Sequence, residues 1–199
     1  MGLESIVAFW KQQQEVDSKW IHPDDASVLF HSRWTHSFNL DFPAGPYIGV
    51  ILGAPVVILG ANAGYSPIST AEEFEPKGSR ETYLAQIAST SKRWTQVSPY
   101  YRQKKYGQQL MAGHVAVVNA CAYRSPEIGR NQTIIGHLPS VWNTRLWLWR
   151  DLLPLAEAGE RLIVAWRYGL WVERNEERDA LQALKGVVCT YPRSPDISD

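Results

Sequence analysis

The sequence predicts a single α/β domain organised as a three-layer sandwich, with helices covering both faces of a central, mainly parallel sheet of four strands. Three observations support this fold class. Four short β-branched runs show no alternation of polar and apolar residues, as expected for strands that are buried on both faces. Segments of helical composition separate these runs, which is typical of strand–helix–strand units. A chain of 199 residues is also long enough to bury one such core.

The N-terminal segment, residues 1–45, is expected to wrap around a core formed by residues 46–198. Residues 5–16 have helical composition, with apolar residues separated from Val16 by polar glutamines. Residues 22–46 are rich in aromatic residues and interrupted by prolines, so we expect no long helix or strand there.

The core elements are predicted in alternating order along the chain. The strands are assigned to residues 55–60, 114–119, 161–166 and 186–190. The helices are assigned to residues 71–89, 100–112, 138–155 and 175–184. Pro154 is expected to break the third of these helices, and a glycine-rich turn is expected directly after the first strand.

Composition argues against several classes of protein. Apolar residues make up 45% of the chain and charged residues 20%, as in ordinary globular domains. The longest apolar run, residues 47–60, contains glycines and a proline and is shorter than the roughly 20 residues of a membrane span. The N-terminus lacks the pattern of a signal peptide, so we expect a cytoplasmic protein without membrane contact, with a monomer as the default state.

The metal-binding residue types are sparse and scattered. Cys121 and Cys189 are the only cysteines, which is too few for a four-thiolate site, and both are expected to be buried thiols. His22, His31 and His36 do not have a zinc-binding spacing, and we expect no metal ion and no cofactor. His114 and His137 could approach a site, although nothing in the sequence requires it.

The charge distribution leaves a nucleic-acid partner open. The formal net charge is zero, which alone argues against such a partner. Residues 82–126, however, contain no acidic residue, and the basic residues of this stretch are Lys92, Arg93, Arg102, Lys104, Lys105 and Arg124. Aromatic residues are interleaved with them, namely Trp94, Tyr100, Tyr101 and Tyr106. The stretch fits either a surface that contacts phosphates and sugars or a solvated basic loop.

Polar motifs follow three of the four predicted strands, at the edge where parallel sheets bind ligands. Residues 60–67 read GANAGYSP, residues 119–126 read NACAYRSP, and residues 191–195 read YPRSP. Each motif alone is common by chance, but their order and their positions after strands are more specific.

Together these motifs resemble those of the uracil-DNA glycosylase superfamily, over about residues 45–198. Residues 60–64 are similar to the Gly-x-Asn-Pro-Gly motif of the branch with mismatch-specific and single-strand-selective enzymes. Asn119 falls where the family has a base-reading asparagine, and residues 191–195 resemble its His-Pro-Ser-Pro loop. The resemblance implies a uracil-DNA glycosylase-like fold. It also implies a monofunctional DNA glycosylase that flips a deaminated or modified pyrimidine out of DNA and hydrolyses its N-glycosidic bond.

The resemblance also implies roles for individual residues. Asn62 would orient the attacking water, and Tyr191 would replace a histidine that donates to the base. Base binding would involve Asn119, a stacking Phe74, and the turn formed by Ala61, Ala63, Gly64 and Tyr65. DNA contacts would include the basic residues named above together with Arg193, Ser194 and Ile197, with Arg193 or Ile197 as the wedge. The structural alternatives are a turn asparagine at 62, a strand-end cap at 119 and a core aromatic residue at 74.

Two departures from the family pattern leave the substrate open. Gly64 stands where efficient uracil-specific enzymes have a bulky tyrosine, so the pocket could admit a 5-substituted pyrimidine. Tyr191 in place of histidine predicts slow turnover of uracil. One alternative is therefore a defence enzyme that excises glucosylated hydroxymethylcytosine from phage DNA. A second alternative is a catalytically silent nucleic-acid-binding module, which the altered loop and the zero net charge favour.

Overall fold

The computed structural model describes residues 2–90, 93–166, 168–172 and 174–190. Its strands are β1 (Gln14–Val16), β2 (Lys19–Ile21), β3 (Tyr47–Ile48), β4 (Val56–Gly64), β5 (Val115–Ser125), β6 (Leu162–Trp166) and β7 (Val187–Thr190). Its α-helices are α1 (Glu4–Trp10), α2 (Ala26–Leu29), α3 (Pro67–Phe74), α4 (Ser79–Ile87), α5 (Pro99–Arg102), α6 (Gly107–Ala112), α7 (Gln132–Ile135), α8 (Pro139–Trp147), α9 (Leu153–Glu157) and α10 (Asn175–Ala183).

The central sheet has five strands in the order β3-β5-β4-β6-β7. Four of them, β4 to β7, are parallel, and these are the four strands that the apolar runs predict. The fifth strand, β3, pairs antiparallel with β5 at the edge and was not predicted. With only two residues it has no periodicity that a sequence pattern could reveal.

Helices flank this sheet and bury its strands. The side chains of β5 are buried along its whole length, and α6 and α8 pack against it. Helix α9 packs against β6, and α10 against β7. The chain is therefore an α/β protein with a mostly parallel five-stranded sheet, an arrangement compatible with a three-layer sandwich. Within the described ranges, none of the helices has the length and apolarity needed to cross a membrane.

The N-terminal segment joins the same core. Ile6, Val7 and Trp10 of α1 are buried in it. The helix predicted over residues 5–16 is nevertheless too long, because α1 ends at Trp10 and the two-stranded hairpin of β1 and β2 follows. Asp17 and Ser18 both have positive φ angles, which form the tight turn of this hairpin and are incompatible with a continuing helix.

The predicted helices are real but more interrupted than expected. The helix predicted over residues 71–89 is two helices, α3 and α4, separated by a loop with Gly78 at positive φ. The helix over 100–112 is likewise α5 and α6. Near Pro154 the chain stays helical through a π-helical stretch over Leu148–Leu152, which lies directly before α9. Pro154 lies in the first turn of α9, a position that tolerates its missing N–H.

Strand β4 also extends further than predicted. The glycine-rich turn expected after residue 60 is absent, because residues 60–64 continue β4 alongside β5, with a register shift between Asn62 and Gly64. Ala61 and Ala63 are buried in this continuation of β4, as expected for strand residues that pack against a core. The strand ends just before Ser66, whose side chain caps α3, and Pro67 occupies the first turn of that helix.

Candidate active site

A cavity of about 390 Å³ lies at the carboxyl ends of β4 and β5. Asn62 and Asn119 both line it, as the sequence motifs predict for loops at this edge. Asn119 lies opposite Gly60 in the parallel ladder, two residues before Asn62 on the neighbouring strand. Because side chains two residues apart in a strand share one face of the sheet, the two amides project into the same space.

The amide nitrogen of Asn62 is fully engaged by the protein. Nδ2 donates to the main-chain oxygen of Ser125 at 3.1 Å, to its hydroxyl oxygen at 3.0 Å and to the oxygen of Ala63 at 3.1 Å. Two of these acceptors are carbonyl groups, so the orientation of the amide is defined. Nothing within the described ranges donates to Oδ1. Asn62 therefore offers a fixed hydrogen-bond acceptor to the cavity.

Asn119 is held in a similar way and is almost fully buried. Its Nδ2 donates to the main-chain oxygen of Gly45 at 2.8 Å and, more weakly, to the hydroxyl oxygen of Tyr101 at 3.4 Å. The oxygen Oδ1 packs so closely on Gly60 that a Cβ atom at that position would lie 2.6 Å from it. Glycine at position 60 is thus required for this orientation of Asn119, which presents its acceptor rather than its donors.

A buried ion pair forms another part of the wall. Arg124 donates to the two carboxylate oxygens of Glu73 at 3.2 and 3.4 Å and to the main-chain oxygen of Pro43 at 3.0 Å. Its guanidinium group also lies over the rings of Phe74 and Tyr83. Burial raises the pKa of the Glu73 carboxyl, and the guanidinium of Arg124 opposes that rise. The prediction that Arg124 belongs to an exposed basic surface is therefore wrong.

Hydroxyl groups line much of the remaining wall. They belong to Tyr47, Tyr65, Ser66, Ser69, Thr70, Tyr83, Ser98, Tyr100, Tyr101, Tyr106 and Ser125. Burial raises the pKa of Tyr101 to about 12, so this phenol keeps its proton at neutral pH. The cavity thus combines fixed amide acceptors with hydroxyl groups that can donate.

The residues predicted to bind a base are only partly at the cavity. Ala61, Ala63, Gly64 and Tyr65 line it, but they do not form the predicted turn, so no cluster of turn N–H groups is available to hold a base oxygen. A Cβ atom on Gly64 would meet open space. The Phe74 ring packs on Phe42 and Tyr83 in the core and does not line the cavity. Phe74 is therefore the core aromatic residue of the alternative interpretation and not a residue that stacks on a base.

The predicted basic surface lies beside the cavity but is smaller than expected. Arg93, Arg102 and Lys105 are exposed, and the Lys104 ammonium lies 4.2 Å from the centre of the Tyr100 ring. Arg102, Lys104 and Lys105 form a basic turn. This turn borders the cavity, because Tyr100 and Tyr101, which line the cavity, directly precede Arg102. Of the interleaved aromatic residues, Trp94 is buried in the core, whereas Tyr106 is buried but lines the cavity.

The remaining sequence predictions concern positions outside the described residues, two histidines and two cysteines. Lys92, Tyr191, Arg193, Ser194 and Ile197 fall outside the described residues. His114 and His137 are exposed and do not line it. Cys121 is buried as predicted, whereas Cys189 is only half-buried. In the part of the chain that the structure describes, no group of His, Cys, Asp and Glu side chains could hold a metal ion.

Sequence patterns did not identify Glu73, Tyr101 and Ser125 as members of this site. Glu73 occupies a helix and carries no motif, and its partner lies 51 residues away in the chain. Ser125 belongs to the second polar motif, and its position after a strand was the available signal. No protein-family model, curated protein or solved structure matches the chain.

Proposed function

We propose that the chain is a monofunctional DNA glycosylase that accepts a flipped pyrimidine in the cavity beside β4 and β5. The observation that carries this proposal is that Asn62 and Asn119 line one cavity at the carboxyl edge of a parallel sheet while the Nδ2 of each donates to the protein, which leaves each Oδ1 as the free acceptor. The sequence motifs predict the same two residues. The uracil-DNA glycosylase-like fold is part of this proposal.

In this mechanism Asn62 positions the attacking water molecule. With Nδ2 engaged by Ser125, its Oδ1 accepts a hydrogen bond from a water molecule and directs a lone pair of that water towards C1′ of the flipped nucleotide. An amide is too weak a base to remove the proton early, so its contribution is orientation.

The reaction replaces one bond at C1′ with another. The bond between C1′ and the base nitrogen breaks, the electron pair leaves with the base, and the water oxygen bonds to C1′. One water proton ends on the departing base, so the products are a free base and an abasic sugar. Hydroxyl donors of the wall stabilise the base while it carries negative charge.

The base enters against Asn119, whose Oδ1 accepts from its Watson–Crick edge. Uracil-type bases offer N3–H for this contact, and cytosine-type bases offer the 4-amino group. Gly64 leaves open space beside the base, which supports the admission of a 5-substituent.

DNA binding is assigned to the basic turn that borders the cavity. Arg102, Lys104 and Lys105 are its charged residues, and the adjacent Tyr100 side chain is 45% exposed. Basic side chains beside aromatic rings suit contact with phosphates and unstacked bases.

A substituted substrate is favoured by the lining of the cavity. A volume of about 390 Å³ lies in the range of pockets that hold ligands larger than a bare pyrimidine. Hydroxyl groups of Ser66, Ser69 and Thr70 line it near Gly64 in the chain, and such groups pair well with a polyhydroxylated substituent. These features support the second candidate, a defence glycosylase that removes glucosylated hydroxymethylcytosine.

A panel of oligonucleotides tests the proposal. Single-stranded and duplex versions carry one uracil, thymine opposite guanine, hydroxymethylcytosine or glucosylated hydroxymethylcytosine, and alkali-labile breaks report base release. We expect release from at least one of these, with 5-substituted bases preferred over uracil. Salt-sensitive DNA binding with no base released from any oligonucleotide would contradict the proposal and favour a silent binding module.

A further inference from the structure

The phenol group of Tyr101 has a proton that the protein does not use. The oxygen of this phenol accepts a hydrogen bond from Nδ2 of Asn119 at 3.4 Å. No residue in the described ranges accepts the hydroxyl proton. Since Tyr101 lines the cavity, this proton is available to a ligand.

The Asn119 amide cannot easily provide the same donor. Its main-chain N–H donates to Pro46, and its Nδ2 donates to the buried main-chain oxygen of Gly45 at 2.8 Å. Turning Nδ2 towards a ligand would leave the Gly45 oxygen without its partner in a buried setting, which is unfavourable.

We infer that Tyr101 is a specificity-determining residue that donates to the Watson–Crick edge of the bound pyrimidine, beside the acceptor Oδ1 of Asn119. This inference rests on one part of the proposed function, namely that a pyrimidine enters the cavity. A uracil-type base donates from N3 to Asn119 and accepts from Tyr101 at its 4-oxygen. A cytosine-type base donates its 4-amino group to Asn119 and accepts from Tyr101 at N3.

Two further features of the structure suit this role. The phenol keeps its proton well above neutral pH, since burial raises its pKa to about 12. Tyr101 also directly precedes Arg102, the first charged residue of the basic turn. One short helix, α5, therefore carries both the base-reading donor and the start of the proposed DNA contact.

Binding of free bases to the full chain tests the inference without requiring catalysis. We would titrate wild type and Tyr101→Phe with uracil, cytosine and 4-thiouracil and follow backbone NMR shifts. The control is Ser79→Ala, which removes a buried hydroxyl that has no hydrogen-bond partner among the described residues and does not line the cavity. We expect Tyr101→Phe to bind uracil and cytosine about tenfold more weakly, and Ser79→Ala to bind them as wild type does.

The comparison with 4-thiouracil separates a direct contact from a structural effect. Sulfur is a poor acceptor, so wild type should prefer uracil over 4-thiouracil, and Tyr101→Phe should lose that preference. The inference is overturned if Tyr101→Phe binds uracil and cytosine as tightly as wild type, if it keeps the preference, or if wild type binds neither base. Tyr101-dependent binding of bases without base release from any oligonucleotide would instead overturn the proposed function and support this inference.

Discussion

Ser125 fixes the Asn62 side chain through two different oxygens, its main-chain carbonyl at 3.1 Å and its hydroxyl at 3.0 Å. The two residues belong to neighbouring parallel strands, β4 and β5, and the same Ser125 carbonyl also accepts from the main-chain N–H of Tyr65. Asn62 is consequently part of the end of the sheet rather than of a mobile loop. An acceptor held this rigidly is suited to orienting one water molecule.

Removing the Ser125 hydroxyl should loosen this arrangement without abolishing it. Ser125→Ala deletes one of the three acceptors of Nδ2 and also the hydroxyl that donates to the Glu127 oxygen. We expect base release to fall by about tenfold and the free energy of unfolding by about 1 kcal/mol, because the carbonyl contact remains. Single-turnover kinetics and urea denaturation measure both. Unchanged release would mean that the position of Asn62 does not limit the reaction.

Gly60 and Gly64 provide a matched pair of substitutions in one strand. Gly60→Ala places a Cβ 2.6 Å from Asn119 Oδ1, whereas a Cβ on Gly64 meets nothing within 4 Å. We expect Gly60→Ala to lose about 1–3 kcal/mol of stability and most of its base binding, since the amide must move. Gly64→Ala should stay within about 0.5 kcal/mol of wild type. Equal effects of the two substitutions in urea denaturation would contradict the packing described for Asn119.

A larger residue at position 64 should change substrate choice. Gly64→Tyr fills the open space beside the cavity, so a 5-substituent would collide with the new ring. We expect release of 5-substituted bases to fall by about tenfold or more relative to release of uracil. Competition between uracil-containing and hydroxymethylcytosine-containing oligonucleotides measures this ratio. An unchanged ratio would show that the base does not lie next to Gly64.

Removing one partner of the buried Glu73–Arg124 ion pair should strongly reduce the stability of the fold. Glu73→Ala leaves the Arg124 guanidinium buried without its carboxylate, for which we expect a loss of about 3–5 kcal/mol of stability. The double variant Glu73→Leu with Arg124→Met removes both charges and should recover most of that loss. Chemical denaturation of the two variants provides the measurement. A double variant as unstable as Glu73→Ala would contradict an unpaired charge as the cause.

His22 should make the fold less stable as the pH falls. It is buried, its Nδ1 accepts from the Asp24 N–H at 3.2 Å, and its Nε2 lies 3.2 Å from the Phe9 oxygen. Burial lowers the pKa of His22, although the nearby carboxylates of Asp24 and Asp25 oppose this. The unfolded chain therefore binds the extra proton first, and stability is lost as pH falls below the ordinary histidine pKa of about 6.5.

The variant His22→Asn tests this sign. Asparagine keeps an acceptor for the Asp24 N–H but does not titrate. Between pH 7.5 and 5.5, wild type should lose up to about 1.4 kcal/mol more of its unfolding free energy than the variant does. Urea titrations at the two pH values provide the comparison. If the two proteins have the same pH dependence, the neutral buried histidine is not the cause.

The sheet could be predicted from the sequence because its four parallel strands are short apolar runs that helical segments separate. The same logic placed Asn62 and Asn119 at one edge, since the carboxyl ends of parallel strands meet there. Tertiary packing decided the features that were missed or mispredicted. Arg124 looks like a surface cation in the sequence, and only its contact with Glu73, 51 residues away, makes it a core residue. The continuation of β4 through residues 60–64 depends on pairing with β5, which local glycine content does not reveal.

The most direct test of the account compares Asn62→Ala with Asn143→Ala. Asn143 is partly buried as well but does not line the cavity. On an oligonucleotide from which wild type releases base, we predict that Asn62→Ala lowers single-turnover release about 100-fold or more, with DNA affinity by fluorescence anisotropy nearly unchanged. Asn143→Ala should match wild type in both measurements. Base release by Asn62→Ala at the wild-type rate would contradict the central claim.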